Sequence, residues 1–293
     1  MKIANVLIGL LLLVAACKTE KETPNGFKFT VVESGDGVLA KPQEIMVFDF
    51  VMKDSKDSIW QSTYKEEMPG YLMVADTSAL KSEDGMMQMF RMLSKGDSVH
   101  VTMSAVEFFR DLVRAPLPMG IDSTLNIAYL IRVTGIMSQD DFRKFQMELA
   151  EKKSQKQKSL DLETIKKYLA DNSITAQEDT SGIQYVIHNS TGGKKPVLES
   201  CVEVKYTGKF MADGRIFDKN DRIGFPLTDV IPGWQYSIPK LAIGDSGTFY
   251  IPSSLAYGPR GYPGAIPPNA ILIFDVQVLA VGDSLDQATR TCK

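Results

Sequence analysis

Two short runs in the C-terminal half of the chain alternate inward and outward positions with a period of two. They span residues 202–206 and 272–276. This is the period of β-strands that bury one face. Tyr206 and Phe274 are therefore expected to point inward, whereas Glu203 and Lys205 are expected on the outer face. The pattern predicts a sheet whose buried side carries aromatic rings.

A tryptophan lies between these two runs, directly after a turn-forming pair. Trp234 follows Pro232 and Gly233, and residues 235–241 are expected to form a short helix. A helix laid across a curved antiparallel sheet would bury Trp234 among the inward rings. The sequence thus predicts an aromatic pocket at one end of the sheet. Buried aromatic residues also form ordinary cores, and the two roles are not exclusive.

Five strings follow one another within residues 202–278. They are VEVKYTG, IFD, VIPGW, LAYG and IPPNAILIFDV. This succession resembles the FKBP-type peptidyl-prolyl cis-trans isomerases and spans nearly a whole domain of about 100 residues. The resemblance implies an α+β domain in which a curved antiparallel sheet wraps a short helix.

The resemblance also implies roles for particular residues. The substrate's proline ring would rest on Trp234, while the Ile231 N–H and the Tyr257 hydroxyl would hold substrate carbonyls. Asp218 would line the wall, with Arg222 as its nearest ion-pair candidate in sequence. The remaining pocket residues would be Tyr206, Phe217, Phe225, Val230, Ile266 and Phe274.

Such a pocket suits prolyl isomerisation, because this reaction needs no nucleophile, general base, cofactor or metal. The barrier is roughly 18–20 kcal/mol and arises from amide resonance. A dry pocket shaped for a pyrrolidine ring favours the twisted, less polar amide over the planar one, which is differential binding of the transition state.

The N-terminal half shows an internal repeat of the same pattern. Residues 26–32 parallel residues 182–187, residues 93–97 parallel residues 241–245, and the strand at 127–133 matches that at 272–278. A second FKBP-like domain is therefore expected. Its pocket has diverged, so we expect poor isomerase activity or none. The positions of Tyr206, Phe217, Trp234 and Tyr257 are predicted to be taken by Phe50, Trp60, Met86 and Phe109.

Eleven methionines lie between Met46 and Met137. Thioether side chains adapt to varied apolar partners but also fill irregular cores. Two hypotheses remain open for these methionines: they fill an irregular core, or they serve a client-binding or dimerising role.

The first residues resemble a bacterial lipoprotein signal. Lys2 precedes an apolar stretch to residue 16, and small residues precede Cys17. The stretch is shorter than the about 20 residues that span a bilayer. We expect cleavage before Cys17, acylation of Cys17 as a membrane anchor, and a location in the cell envelope, with the outer membrane favoured. An uncleaved anchor is the alternative.

Composition and spacing suggest the remaining boundaries. We expect a signal peptide at 1–16, a lipidated cysteine and tether at 17–25, a degenerate domain at 26–137, a helical linker at 138–180, the isomerase domain at 181–282 and a polar tail at 283–293. Within the linker, one helix is expected to about Lys158 and a second from Asp161 to Asn172, the latter docking on the isomerase domain.

Cysteines and charge add little. Cys201 and Cys292 could pair, but free thiols are favoured because Cys292 is expected in a fraying tail. His100 and His188 form no metal-binding pattern. The net charge of −3 gives no support to nucleic-acid binding.

The sequence therefore predicts a lipid-anchored peptidyl-prolyl cis-trans isomerase that assists the folding of proline-containing exported proteins. The alternative is a non-catalytic client-binding or assembly lipoprotein of the envelope, and a dimer through the N-terminal domain is left open.

Overall fold

The computed structural model describes residues 18–76, 78 and 83–293. The chain divides into two compact units, Met1–Met147 and Glu148–Lys293. The predicted signal peptide and the acylated Cys17 lie outside the described residues. Across the described part of the chain, no helix is long and apolar enough to cross a membrane.

The N-terminal unit is a twisted antiparallel sheet with short helices. Its strands are β1 (Thr19–Glu22), β2 (Lys28–Glu33), β3 (Ile45–Asp54), β4 (Ile59–Ser62), β5 (Gly70–Met73), β6 (Ser98–Ser104) and β7 (Asn126–Met137). Its helices are α1 (Thr63–Glu66), α2 (Gly85–Arg91), α3 (Ala105–Glu107) and a π-helical turn at Phe108–Val113. Helix α2 begins where the carboxylate of Asp84 accepts the Met87 N–H at 2.9 Å, which satisfies a backbone donor of the first turn.

Helix α4 (Gln139–Asp171) follows, and the C-terminal unit contains a second antiparallel sheet. Its strands are β8 (Gln177–Glu178), β9 (Gln184–Asn189), β10 (Cys201–Phe210), β11 (Ile216–Pro226), β12 (Ser246–Ile251) and β13 (Leu272–Gly282), followed by the small hairpin β14 (Leu285–Asp286) and β15 (Thr291–Cys292). Helix α5 (Pro232–Ser237) precedes β12. It begins three residues earlier than predicted, because Pro232 has a φ that suits the first helical turn.

The two sheets have the same topology. The strand order is β1-β2-β6-β7-β3-β4 in the first and β8-β9-β12-β13-β10-β11 in the second. Counted from the start of each unit, both read 1-2-5-6-3-4, apart from β5, which adds to β3. In both units the connection between the fourth and fifth strands carries the helix, α2 or α5. The predicted fold class, α+β with two domains of one kind and a helix between them, is confirmed.

The repeat extends to a turn with an aspartate at its end. The Asp97 carboxylate accepts the Ser94 N–H at 2.6 Å, and the Asp245 carboxylate accepts the Ala242 N–H at 2.9 Å. In each unit, the same aspartate also accepts a backbone N–H from the loop after the second strand. These equivalent turns fix the residue-by-residue register between the units.

Helix α4 is continuous, and the predicted division into two helices is wrong. Its sequence contains no proline or glycine that would end a helix. Asp161, taken as the start of a second helix, is buried, and its carboxylate accepts the Ser253 N–H at 2.8 Å. On the same helix, Ile165 and Leu169 pack on the outer face of the second sheet, as predicted for docking.

The C-terminal tail is fastened to the sheet, so the preference for free thiols is wrong. Cys201 in β10 and Cys292 in β15 form a disulfide with their Cα atoms 5.6 Å apart. Glu203 is also not on an outer, solvated face. It is 2% exposed, accepts the Cys292 N–H at 2.8 Å and pairs with Arg222 Nε at 2.7 Å. The tail covers this position of the sheet, which the strand period alone does not reveal.

The segment expected to be a tether is also ordered. Residues 19–22 form strand β1, which pairs antiparallel with β2, with Thr19 opposite Val31 and Glu22 opposite Lys28. The prediction failed because a short run of charged residues is compatible with an exposed edge strand as well as with a solvated spacer.

Candidate active site

The aromatic residues predicted for the C-terminal pocket converge at one end of the second sheet. Trp234 on α5 is 6% exposed, and its ring meets Tyr206 of β10 at 4.9 Å and Phe274 of β13 at 5.1 Å between centroids, both nearly perpendicular. Phe225 of β11 lies 5.4 Å from the same indole. Edge-to-face contacts of this kind are favourable and fix the ring orientations. The indole is therefore a rigid floor.

A glycine allows two of the wall rings to approach each other. A β-carbon at Gly208 would lie 2.7 Å from Phe217 Cζ and 2.8 Å from Phe274 Cε1. These two rings are perpendicular at 5.7 Å. The absence of a side chain at Gly208 is thus a requirement of the pocket wall rather than of the backbone conformation.

The acidic wall residue is paired with a tyrosine rather than with Arg222. The Tyr206 hydroxyl donates a hydrogen bond to Asp218 Oδ2, whereas Arg222 pairs with Glu203. The predicted Asp218–Arg222 pair is therefore wrong. Burial, together with the hydrogen bond to the carboxylate, raises the pKa of Tyr206 above its usual value. The hydroxyl stays protonated and Asp218 remains exposed at the rim.

Two donors in the pocket are free to bind a ligand. Within the described part of the chain, neither the Ile231 N–H nor the Tyr257 hydroxyl has a hydrogen-bond partner. Burial and the nearby Asp218 charge raise the pKa of Tyr257, so it too remains a donor. Trp234 Nε1 is buried and likewise has no partner among the described residues. Amide carbonyl oxygens are the natural acceptors for the first two groups.

The cavity has a volume of about 350 Å³. Nine of the ten predicted residues line it: Tyr206, Phe217, Asp218, Phe225, Val230, Ile231, Trp234, Tyr257 and Phe274. Ile266 is buried in the hydrophobic core that contains Trp234 and does not line the cavity. Sequence reasoning missed Ile223 and Asp229, which do line it. The inward period of β11 could have indicated Ile223, since it lies two residues before Phe225.

A larger cavity of about 490 Å³ lies between the C-terminal part of α4 and the turn joining β10 to β11. Its charged residues pair with each other: Lys167 with Asp171 at 2.7 Å, and Arg215 with Asp213 at 3.7 Å. Its lining contains none of the ten residues predicted for the site. The aromatic cavity is therefore the candidate active site.

The register between the units identifies the equivalent positions in the N-terminal unit. Met86 precedes Leu93 by seven residues, as Trp234 precedes Leu241. Phe50 lies opposite Ile131 in β7, as Tyr206 lies opposite Val276 in β13. The same register makes Tyr129 the counterpart of Phe274, Met52 of Gly208, Trp60 of Phe217 and Gln61 of Asp218.

The walls of that region have changed accordingly. Met52 is buried where the C-terminal unit has Gly208, and it packs with Trp60 and Phe108 in a separate cluster. Phe109, predicted to replace Tyr257, also packs against Trp60, whereas Leu112 lines the cavity. By the register Phe109 still corresponds to Tyr257, since it follows Asp97 by 12 residues as Tyr257 follows Asp245. At the equivalent positions, the N-terminal unit has Met86 in place of the indole and Gln61 in place of the carboxylate.

Comparison with known proteins agrees with this geometry. Residues 192–279 match the family model of the FKBP-type peptidyl-prolyl cis-trans isomerases. FK506-binding protein 1 of Saccharomyces cerevisiae is 42% identical over 96 residues, which are 31% of this chain and 83% of that protein. The chain belongs to the FKBP family. The resemblance inferred from the five strings is confirmed.

Two bacterial relatives are longer than the region that they share with this chain. A probable FKBP-type peptidyl-prolyl cis-trans isomerase FkpA of Neisseria meningitidis serogroup B is 36% identical over 161 residues, 52% of this chain and 59% of that protein. The outer membrane protein MIP of Legionella longbeachae is 39% identical over 105 residues, 34% of this chain and 45% of that protein. The chain thus spans about half the length of these two relatives.

Proposed function

We propose that this FKBP-family chain is a peptidyl-prolyl cis-trans isomerase and that the C-terminal aromatic cavity is its active site. The observation that carries the proposal is the pair of unpartnered donors, Ile231 N–H and Tyr257 hydroxyl, above the buried Trp234 floor. The donors would hold the substrate carbonyls while the indole holds the proline ring. The family match over residues 192–279 supports the same assignment.

The cavity would accelerate the reaction by replacing water with fixed apolar walls. In water, the planar amide is stabilised by hydrogen bonds to its polar carbonyl. Against the rings of Trp234, Phe225 and Phe274, that stabilisation is lost, and the twisted amide with its smaller dipole is favoured. Every tenfold acceleration requires about 1.4 kcal/mol of this differential binding. No proton transfer is involved, so Asp218 would act by orienting Tyr206.

The test is protease-coupled isomerisation of a proline-containing tetrapeptide by the full chain. We expect turnover well above the peptide's spontaneous rate, and a fall of about 100-fold in kcat/KM for the double variant Trp234→Ala, Asp218→Ala. Tyr236→Ala is the matched control, because Tyr236 lies on the same helix but is 51% exposed and outside the cavity. Its activity should equal that of the unchanged protein.

The alternative is a client-binding protein without useful turnover. Spontaneous rates with the unchanged protein, combined with proline-peptide binding that Trp234→Ala removes, would refute the enzyme and support this alternative. Loss of activity in Tyr236→Ala equal to that of the double variant would show that the assay reports folding rather than the site.

We further propose that proline-containing exported proteins are the substrates and that acylated Cys17 anchors the chain to the membrane of the cell envelope. The apolar stretch before Cys17 supports this, as does a relative whose name places it in the outer membrane. Metabolic labelling with a fatty acid should label the chain and not its Cys17→Ser variant. Equal membrane retention of the unlabelled variant would indicate an uncleaved anchor.

A further inference from the structure

The N-terminal unit has an apolar cavity at the position equivalent to the active site. Its volume is about 280 Å³, close to the 350 Å³ of the C-terminal cavity. It lies between β3, α2 and β7, which correspond to β10, α5 and β13. The residues that define it are Phe48, Phe50, Met86, Met87, Phe90 and Tyr129.

In both units the residue directly before the cavity floor is a glycine that has no room for a side chain. A β-carbon at Gly85 would lie 2.2 Å from Phe27 Cβ, and one at Gly233 would lie 2.5 Å from Ile251 Cγ2. Both glycines directly precede the residue that forms the floor, Met86 or Trp234. A close approach at the first turn of the helix is therefore common to both units, whereas the chemistry of the floor differs.

The walls offer an apolar surface with one free polar group. Phe50 lacks the hydroxyl of Tyr206, and the Asp84 carboxylate is already used as the cap of α2. The Tyr129 hydroxyl, by contrast, has no hydrogen-bond partner among residues 18–76, 78 and 83–293. Burial raises the pKa of Tyr129 to about 12, so this group remains a donor near neutral pH.

These features select a class of ligand. The one charged residue of the lining, Asp84, caps α2, so the remaining wall is apolar apart from Tyr129, and the size of the cavity suits one or two side chains. The thioethers of Met86 and Met87 can change rotamer to fit different shapes, which an indole cannot do. One hydroxyl donor at the wall matches one backbone carbonyl. An extended polypeptide presents this combination of apolar side chain and adjacent carbonyl.

We propose that the N-terminal unit binds apolar side chains of extended polypeptide segments in this cavity, whether or not they contain proline, with the Tyr129 hydroxyl donating to a backbone carbonyl of the segment. The second site is distinct from the isomerase site and does not depend on its activity. It would hold an unfolded chain without proline selectivity.

The test uses methyl NMR of the full chain labelled with ¹³C at the methionine methyl groups. The probe is the amidated peptide Gly-Ser-Leu-Phe-Ser-Gly, compared with a version in which both apolar residues are serine. We expect the first peptide to shift the Met86 and Met87 methyl signals and to leave those of Met119 and Met211 unchanged. The serine peptide should shift none.

Three variants make the result quantitative. Met86→Glu should weaken binding at least tenfold, because a charge enters the apolar cavity. Tyr129→Phe should weaken it about two- to tenfold, the value of one hydrogen bond, with the fold intact. Met119→Glu is the matched control, since Met119 is fully exposed, and should bind as the unchanged protein does.

Several outcomes would overturn the proposal. One is the absence of shifts at Met86 and Met87, and another is equal affinity of Tyr129→Phe, Met86→Glu and Met119→Glu. If the two methyl signals move with protein concentration alone and sedimentation shows a dimer, the cavity is a contact between copies of this chain. Retention of the peptide shifts in Trp234→Ala is expected, and their loss would assign the binding to the other site.

Discussion

Breaking the disulfide between Cys201 and Cys292 should destabilise the C-terminal unit by several kilocalories per mole. The bond closes a loop with a sequence separation of 91 residues. In the chain-entropy account, a loop of this length lowers the entropy of the unfolded chain by an amount worth about 4.6 kcal/mol at 25 °C. Native hydrogen bonds, such as that from the Cys292 N–H to Glu203, remain after reduction. We therefore expect Cys292→Ser to lower the free energy of unfolding by about 2–4.6 kcal/mol.

The assay is urea denaturation followed by Trp234 fluorescence. The background carries Trp60→Phe, so that the signal reports the C-terminal unit alone, and Cys17→Ser, so that Cys201–Cys292 is the disulfide under test. With a urea slope of about 2 kcal/mol/M, the middle of the usual range, the midpoint should fall by about 1–2 M. Dithiothreitol should reproduce the effect and should change nothing further in Cys292→Ser. A shift in the free energy of unfolding below about 0.5 kcal/mol, in reductant and variant alike, would refute the loop-entropy reasoning.

Three further results are expected. Gly208→Ala should lower kcat/KM about tenfold and the stability of the C-terminal unit by about 1–3 kcal/mol, because the new methyl group displaces two rings. Gly135→Ala is the control, because its new methyl group would approach the end of a flexible methionine side chain at 3.1 Å. Steady-state kinetics and urea unfolding of this control should match those of the unchanged protein. Asp161→Ala should cost about 1–3 kcal/mol in the same unfolding assay, since it leaves buried donors unpaired, and an unchanged midpoint would contradict the importance of this contact. Hydrogen bonds from two backbone N–H groups lower the pKa of Asp245, so its stabilising effect should be complete above about pH 4 and lost as the pH falls through the lowered pKa. Asp245→Asn should therefore reduce the dependence of the unfolding free energy on pH in acid. A pH profile identical to that of the unchanged protein would exclude this role of Asp245.

The strand period and the five strings predicted the fold of the C-terminal half and most of its cavity. Tyr206 and Phe274 were placed correctly because the faces of a strand follow from sequence position alone. The match between residues 93–97 and 241–245 set the register of the repeat. With that register, Met86 was assigned as the equivalent of Trp234 and Phe50 as that of Tyr206, although the pocket residues of the two units differ.

The errors have a common physical origin in contacts between residues distant in sequence. Glu203 follows the strand period, but its environment is decided by a tail 89 residues away. Asp161 has the composition of a helix start, yet its carboxylate is used by Ser253, 92 residues further on. Arg222 is near Asp218 in sequence, but strand pairing brings it to Glu203 instead. A local sequence pattern does not show which of two carboxylates the fold brings next to a given side chain.

Strand β1 also bears on the solubility of the N-terminal unit. Its four residues, Thr-Glu-Lys-Glu, are all exposed and occupy the outer position beside β2 in the described sheet. Without it, the backbone of β2 would offer a template for an incoming extended polypeptide. Charged residues on an outermost strand discourage such pairing. This edge of the sheet therefore resists the addition of an extended chain as a further strand.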